Sequence, residues 1–200
     1  MKKQILNVYL ENENSHIEVI DSGHYVKTIN NIIYGKNGHV NCENKEEGDH
    51  KTPLGEFYLG FAFGTISSET FNYPYVKISD NSYWVDDINS IYYNKWVEIG
   101  DLPIMVDFPY VCNTEDLKWA SSEKLSDYSE LYKKAIVIEY NISDDLDFGN
   151  AKGSAIFLHL KSKNSYTGGC IAIDESDMDW LLKWLDYSKK PIINIQITKG

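Results

Sequence analysis

The chain has 200 residues and a formal net charge of -11, from 30 acidic side chains against 19 basic ones, all of which are lysine. That balance excludes a nucleic-acid partner, because phosphate binding draws on clustered Lys and Arg, and it suits neutral or amine-bearing partners. A hydrophobic content of 42% without long single-sign charge runs describes a chain that buries a core, and the length makes a single domain over residues 1–200 the expectation.

In chain order, ILNVYL, HIEVI and HYVKTI within residues 5–34 read as short strands separated by Asn, Asp, Ser and Gly turn signals. Residues 35–48, which include KNGH and ENKEEG, read as a polar surface loop. In GDHKTPLGEFYLGFAFG the Thr52-Pro53 pair forces an extended entry, and Gly55 allows a turn before an apolar strand over 56–63. Residues 64–115 mix aromatics with turn formers and keep no sustained period, which predicts long irregular connections lining a cleft.

Tyr128 and Leu131 share a face if 126–134 is a short helix, and AIVIEYN at 135–141 is a buried strand by its β-branched content. AIFLHL reads as a strand, KSKNSYTGG as a loop and CIAI as a second strand. A helix over 174–186 then places Met178, Leu181, Leu182 and Leu185 on one face, with Asp174 as N-cap and Glu175 and Asp177 favouring the dipole. Trp180 and Trp184, four apart, pack over neighbouring strands, and PIINIQI closes the domain. Strands predominate without β-α alternation, so the fold class is mainly β.

Cys42, Cys112 and Cys170 are far apart, odd in number and free of C-x-x-C spacing, so neither a disulfide scaffold nor a zinc site is supported. His16, His24, His39 and His50 form no metal-binding spacing, and no cofactor motif is present. His50, in GDHKTPLG, borders a cleft or is a solvated loop residue. After MKK, the stretch ILNVYLENENSH lacks the apolar core of a signal peptide. The chain either stays inside the cell or is a mature extracytoplasmic form whose leader has been removed, and no run reaches membrane-span length.

One constellation carries chemistry. His159 stands near the end of one predicted strand and Cys170 at the start of the next, so a ten-residue connection returns the chain and sets them together. Histidine has a reference pKa near neutrality that suits a base, and Gly168 and Gly169 leave the backbone before the thiol unobstructed, with the N–H groups of Gly169 and Cys170 free to hold an oxyanion. From spacing alone, a satisfied core histidine beside an inert packed thiol is the commoner arrangement, and the catalytic pair is the alternative to it. Asp86 and Asp87 are partners for His159 or solvated loop acids, and Tyr83, Trp84, Tyr92, Tyr93 and Tyr140 wall a peptide cleft or pack the core.

Three stretches then resemble the L,D-transpeptidases with a YkuD-type catalytic domain. GDHKTPLGEFYLG at 48–60 is similar to that family's G-D-x-x-T-P-x-G-x-F segment, GSAIFLHL supplies the histidine strand, and YTGGCIAI resembles S/T-x-G-C followed by an apolar residue. WVDDINSIYYN at 84–94, KWASSEKL at 118–125 and VIEYN at 137–141 match the branch with a small residue two before the cysteine.

The resemblance implies a β-sandwich-like fold with a catalytic cleft. It implies Cys170 as nucleophile, His159 as general base oriented by a backbone carbonyl, and Gly169 at the oxyanion site, with Gly168, Thr167 and Tyr140 around the substrate. Peptidoglycan stem peptides are the implied partners and carbapenems the implied inhibitors, with transfer to an amine or to water and no metal. A wall-peptide binding module that kept the fold, or a cysteine amidase or peptidase acting on another peptide, is the competing reading. Many relatives carry His-Gly-Cys where this chain has Gly168-Gly169-Cys170, and Asn or Arg where it has Ala172.

Overall fold

A computed structural model describes residues 3–67, 71–100, 108, 110–142 and 151–198. The chain opens with β1 (Gln4–Leu10), β2 (His16–Asp21) and β3 (His24–Ile29), three antiparallel neighbours. In β1 the period-2 pattern puts Leu6, Val8 and Leu10 inward. Ser22 and Gly23, both at positive φ (55° and 83°), make the two-residue turn between β2 and β3, a backbone that matches the twist of paired strands.

The polar stretch 35–48 is more ordered than its composition predicts. It contains β4 (His39–Asn41), which runs parallel to β5 (Thr52–Gly64). β5 begins four residues earlier than the apolar run suggested, because Val40 pairs with Pro53 on a ladder that composition does not reveal. β6 (Tyr75–Lys77) extends the pairing of β5.

Residues 64–115 depart most from expectation. β7 (Ser82–Val85), β8 (Trp96–Ile99) and β9 (Val111–Thr114), with β10 (Ser122–Lys124), form a second sheet of four strands in the order β10-β7-β8-β9. Strands of three or four residues are too short for a period to stand out. The segment expected as a helix over 126–134 is two 3-10 turns, Leu125–Tyr128 and Leu131–Lys133.

β11 (Ala135–Ile138), β12 (Phe157–Leu160), β13 (Ile171–Ile173) and β14 (Ile192–Ile197) complete the larger sheet, whose order is β13-β12-β11-β5-β14-β1-β2-β3. Between β13 and β14 lies α1 (Glu175–Trp184), which buries Met178, Leu181 and Leu182. Asp174 starts the helix by its backbone carbonyl and makes no side-chain cap; its carboxylate holds Lys161 at 2.9 Å instead. Trp180 and Trp184 stack on each other, with Lys27 of β3 over the Trp180 ring.

Both faces of the larger sheet are covered. One packs on α1 through Leu158, Leu160, Ile171 and Ile173, and the other meets Trp84 and Trp96 of the second sheet through Phe61, Phe63 and Phe157. A bulge between β5 and β11, where Ile136 faces Ala62 but Ile138 faces Leu59, lets Leu59 and Phe61 serve opposite faces. Phe157 is fully buried, worth about 1.5–3 kcal/mol, with its ring edge-on to Trp84 at 4.8 Å. This aromatic seam forms the wall behind Cys170. The fold is mainly β, a sandwich of curled sheets with a single α-helix among the described residues.

Candidate active site

β12 and β13 run parallel, with His159 opposite Ala172 and Leu158 opposite Ile171. Side chains alternate along a strand, so His159, Phe157, Cys170 and Ala172 share one face, and His159 and Cys170 are diagonal neighbours on it. The chain therefore crosses over between them and does not turn back as a hairpin. Both residues line a cavity of about 390 Å³, and both are buried.

His159 Nδ1 lies 2.7 Å from the Leu160 carbonyl. A carbonyl only accepts, so Nδ1 carries the proton and Nε2 keeps its lone pair. Burial pulls the imidazole down to about 4, against the smaller opposing effect of the Leu160 carbonyl. Cys170 Sγ donates to the Ala155 carbonyl at 3.1 Å and accepts the Phe157 N–H at 3.3 Å. Burial first, and then the Glu123 carboxylate, push the thiol up to about 12; the Phe157 N–H, Lys45 and the residue's own N–H act the other way. At rest the pair is a neutral imidazole and a neutral thiol.

Two buried threonines set the backbone around the thiol, each acting as donor and acceptor. Thr167 Oγ1 accepts the Gly169 N–H at 3.1 Å and donates to the Cys170 carbonyl at 2.6 Å. Thr52 Oγ1 accepts the Gly35 N–H at 2.9 Å and donates to the Gly169 carbonyl at 2.8 Å. Gly169 has φ +138°, and a Cβ there would sit 2.9 Å from the Lys51 carbonyl oxygen, so its missing side chain is what the site uses. Its N–H is engaged by Thr167. The Cys170 N–H, on the opposite edge of the trans peptide from the clamped Gly169 carbonyl, takes no part in either clamp.

Ala155, the acceptor of the thiol, has φ +52°, a conformation that costs an L-residue about 1–2 kcal/mol. Asn94 holds it there. Its Oδ1 accepts from the Ala155 N–H (3.1 Å) and Trp84 Nε1 (2.9 Å), while Nδ2 donates to the Tyr140 and Asn141 carbonyls (3.0 and 2.9 Å). Tyr140, expected at the substrate, is instead buried with its ring against Phe57 and its hydroxyl on the Lys152 carbonyl. Among the described residues, its link to the site is the backbone carbonyl that accepts from Asn94. Gly168 and Thr167 do line the cavity.

His50 also stands on the cavity wall, with Nδ1 3.9 Å from where a Gly168 Cβ would be. Asp86 lines the cavity, whereas Asp87 holds the Ala120 and Asn89 N–H groups; His159 takes its orientation from the Leu160 carbonyl rather than from either acid. Tyr83 and Tyr92 pack on Trp119. Cys42 Sγ donates to the Leu54 carbonyl, and Cys112 is half-buried on β9.

Sequence reasoning passed over Thr52, Asn94 and Glu123 as site residues. The signal was present: Thr52 lies in the GDHKTPLG stretch, Asn94 ends WVDDINSIYYN, Glu123 lies in KWASSEKL, and Tyr140 in VIEYN. The segments that resemble the family away from the cysteine and histidine are those that scaffold the pair.

The fold is mainly β, and His159 on β12 and Cys170 at the entry to the parallel β13 stand on one cavity. The chain belongs to the YkuD family: the profile of its L,D-transpeptidase catalytic domain matches residues 7–193. No curated protein matches it by sequence. Among solved structures, the whole chain aligns with the helical cell shape determining protein Pgp2 from Campylobacter jejuni at a TM-score of 0.51 and 15% identity, covering 49% of that chain. A point mutant of Pgp2 aligns equally well, with 0.51 and 14% identity over 48% of its length. The chain thus spans about half the length of Pgp2, and the likeness extends to the fold. Among the described residues, no helix is long and apolar enough to cross a membrane.

Proposed function

We propose that the chain is an extracytoplasmic cysteine acyltransferase acting on peptidoglycan stem peptides, with Cys170 as nucleophile and His159 as base. The observation that carries this reading is the Nδ1 contact of His159 with the Leu160 carbonyl, which leaves Nε2 unprotonated on the face it shares with Cys170. Because both groups are neutral at rest, thiolate forms as the substrate is attacked: the Cys170 proton passes to Nε2 while sulfur bonds to the carbonyl carbon of the stem's diamino acid. The Cys170 N–H is the oxyanion donor best supported by the clamped Gly169–Cys170 peptide.

Collapse of the tetrahedral adduct breaks the bond to D-Ala, whose nitrogen takes the proton from His159, leaving a thioester. The amine of a second stem then attacks the thioester; its proton returns through His159 to Cys170 as the new amide forms. Water in place of the amine gives the carboxypeptidase outcome by the same path.

Incubation with a carbapenem followed by intact mass tests the nucleophile. A single adduct is expected on the parent and none on Cys170→Ala. No adduct on either protein, together with no D-Ala release from tetrapeptide stems, overturns the proposal. Product analysis on tetrapeptide-rich wall then separates cross-linking from hydrolysis.

A further inference from the structure

Lys45, Glu47, Asp86 and Glu123 line the cavity that holds Cys170 and His159. The Lys45 ammonium is already engaged by Asp49 at 2.8 Å and by the Glu46 carbonyl at 3.0 Å, and its side chain is nearly sealed from solvent. Glu47 accepts from the Tyr93 hydroxyl at 2.6 Å. Among the described residues, no cation pairs with Asp86 or Glu123. Asp86 Oδ1 is sealed from solvent and has no hydrogen-bond partner among the described residues, an arrangement that is costly unless a ligand completes it.

Glu123 keeps one oxygen on the Tyr132 hydroxyl at 2.6 Å. The Tyr132 ring stands edge-on to His159 with centroids 5.8 Å apart, so the carboxylate is tied to the base's side of the cavity. Burial, with the Asp86 and Glu47 charges adding to it, pushes the Glu123 carboxyl up to about 7 against the Tyr132 hydrogen bond, the behaviour of an acid that lacks a counter-charge.

We infer that Asp86 and Glu123 form an ammonium subsite, which takes the protonated primary amine of the peptide processed at Cys170. A primary ammonium supplies three N–H donors and a positive charge to match these two acids, since the Lys45 charge is held by Asp49; water supplies donors without charge. A metal ion is the poorer fit, because among the described residues no three His, Cys, Asp or Glu side chains converge as ligands. The subsite rests on the acyl-transfer reading for its substrate, and it selects stems whose diamino acid carries a free side-chain amine.

The test is calorimetric titration of the Cys170→Ala protein with two tetrapeptide stems, one with the side-chain amine free and one with it acetylated, alongside D-Ala release by the parent from both. The free amine is expected to bind at least tenfold more tightly, and Glu123→Gln in the Cys170→Ala background to lose that preference. Asp86→Asn, which keeps shape and tests the unpartnered oxygen, is expected to reduce it and serves if Glu123→Gln fails to fold. Equal affinity for both peptides, with D-Ala still released, overturns the subsite and leaves the acyltransferase standing. Preferential binding of the free amine without any D-Ala release keeps the subsite and removes the acyltransferase. Binding of neither peptide removes both.

Discussion

Thr52 donates its hydroxyl to the Gly169 carbonyl at 2.8 Å across 117 residues of sequence, and the same oxygen accepts the Gly35 N–H. The strand that enters the sheet after GDHK is therefore joined to the backbone that presents Cys170. Thr52→Val keeps the shape and removes both bonds, leaving two buried backbone groups unpaired. A loss of about 3 kcal/mol is expected in chemical denaturation, with slower carbapenem acylation, whereas Thr52→Ser retains most of both. Acylation at the parental rate in Thr52→Val would show that the clamp does not position the thiol.

The two glycines before Cys170 are expected to respond oppositely to substitution. A side chain at Gly169 meets the Lys51 carbonyl in a backbone region that L-residues avoid, so Gly169→Ala costs more than about 2 kcal/mol and abolishes acylation. Gly168 is exposed, and among the described residues a Cβ there comes near only His50, at 3.9 Å. Gly168→His, which installs the residue many relatives carry, stays within about 1 kcal/mol of the parent and alters the choice between stem peptides more than the rate of acylation. Thermal melts and competition between two stems measure the two effects.

Asn94 satisfies four polar groups, itself at φ +54°, and fixes the left-handed Ala155 whose carbonyl receives the thiol. Asn94→Ala removes those bonds and keeps a Cβ in the strained region. The expected cost is about 3–5 kcal/mol, with a fall in acylation rate that persists at temperatures where the variant is folded. Recovery of the full rate in the folded variant would assign Asn94 to stability alone.

A neutral resting pair has a kinetic signature. Alkylation of Cys170 by iodoacetamide is expected to be slow at neutral pH and to climb into the alkaline range, because burial holds the thiol up at about 12. A flat, fast plateau between about pH 5 and 8 would reveal a preformed thiolate–imidazolium pair and would contradict that resting state.

His159 also ties stability to pH. Its imidazole is lowered from 6.5 to about 4, so the unfolded chain binds more protons between those values. The contribution is fully present above about 6.5 and lost as pH falls through about 4, amounting to about 3 kcal/mol. Subtracting the unfolding free energies of His159→Gln from those of the parent across this range isolates it. A pH-independent difference would mean that the imidazole is not buried neutral.

Much of the frame was legible. The period-2 pattern of residues 5–29 marked β1 to β3, the apolar runs marked β11 to β14, and the spacing of Met178, Leu181 and Leu182 marked the buried face of α1. The second sheet was not legible, because its strands are three or four residues long and its Trp84 and Trp96 pack by aromatic contact rather than by a repeating pattern. Asp174 looked like a cap from residue type alone, yet Lys161 across the β12–β13 connection draws its carboxylate away.

The residues that nominate the chemistry, His159 and Cys170 with the glycines before the thiol, were written in the chain itself, because residue type and local spacing state which groups titrate and where a side chain is missing. Only the tertiary structure decided that β12 and β13 run parallel, which puts imidazole and thiol on one face, and that Thr52, Asn94 and Glu123 arrive there from distant segments. Burial and long-range hydrogen bonding are properties of the packed sheets, so the protonation state of the pair and the placing of Asp86 and Glu123 beside it have no local signature.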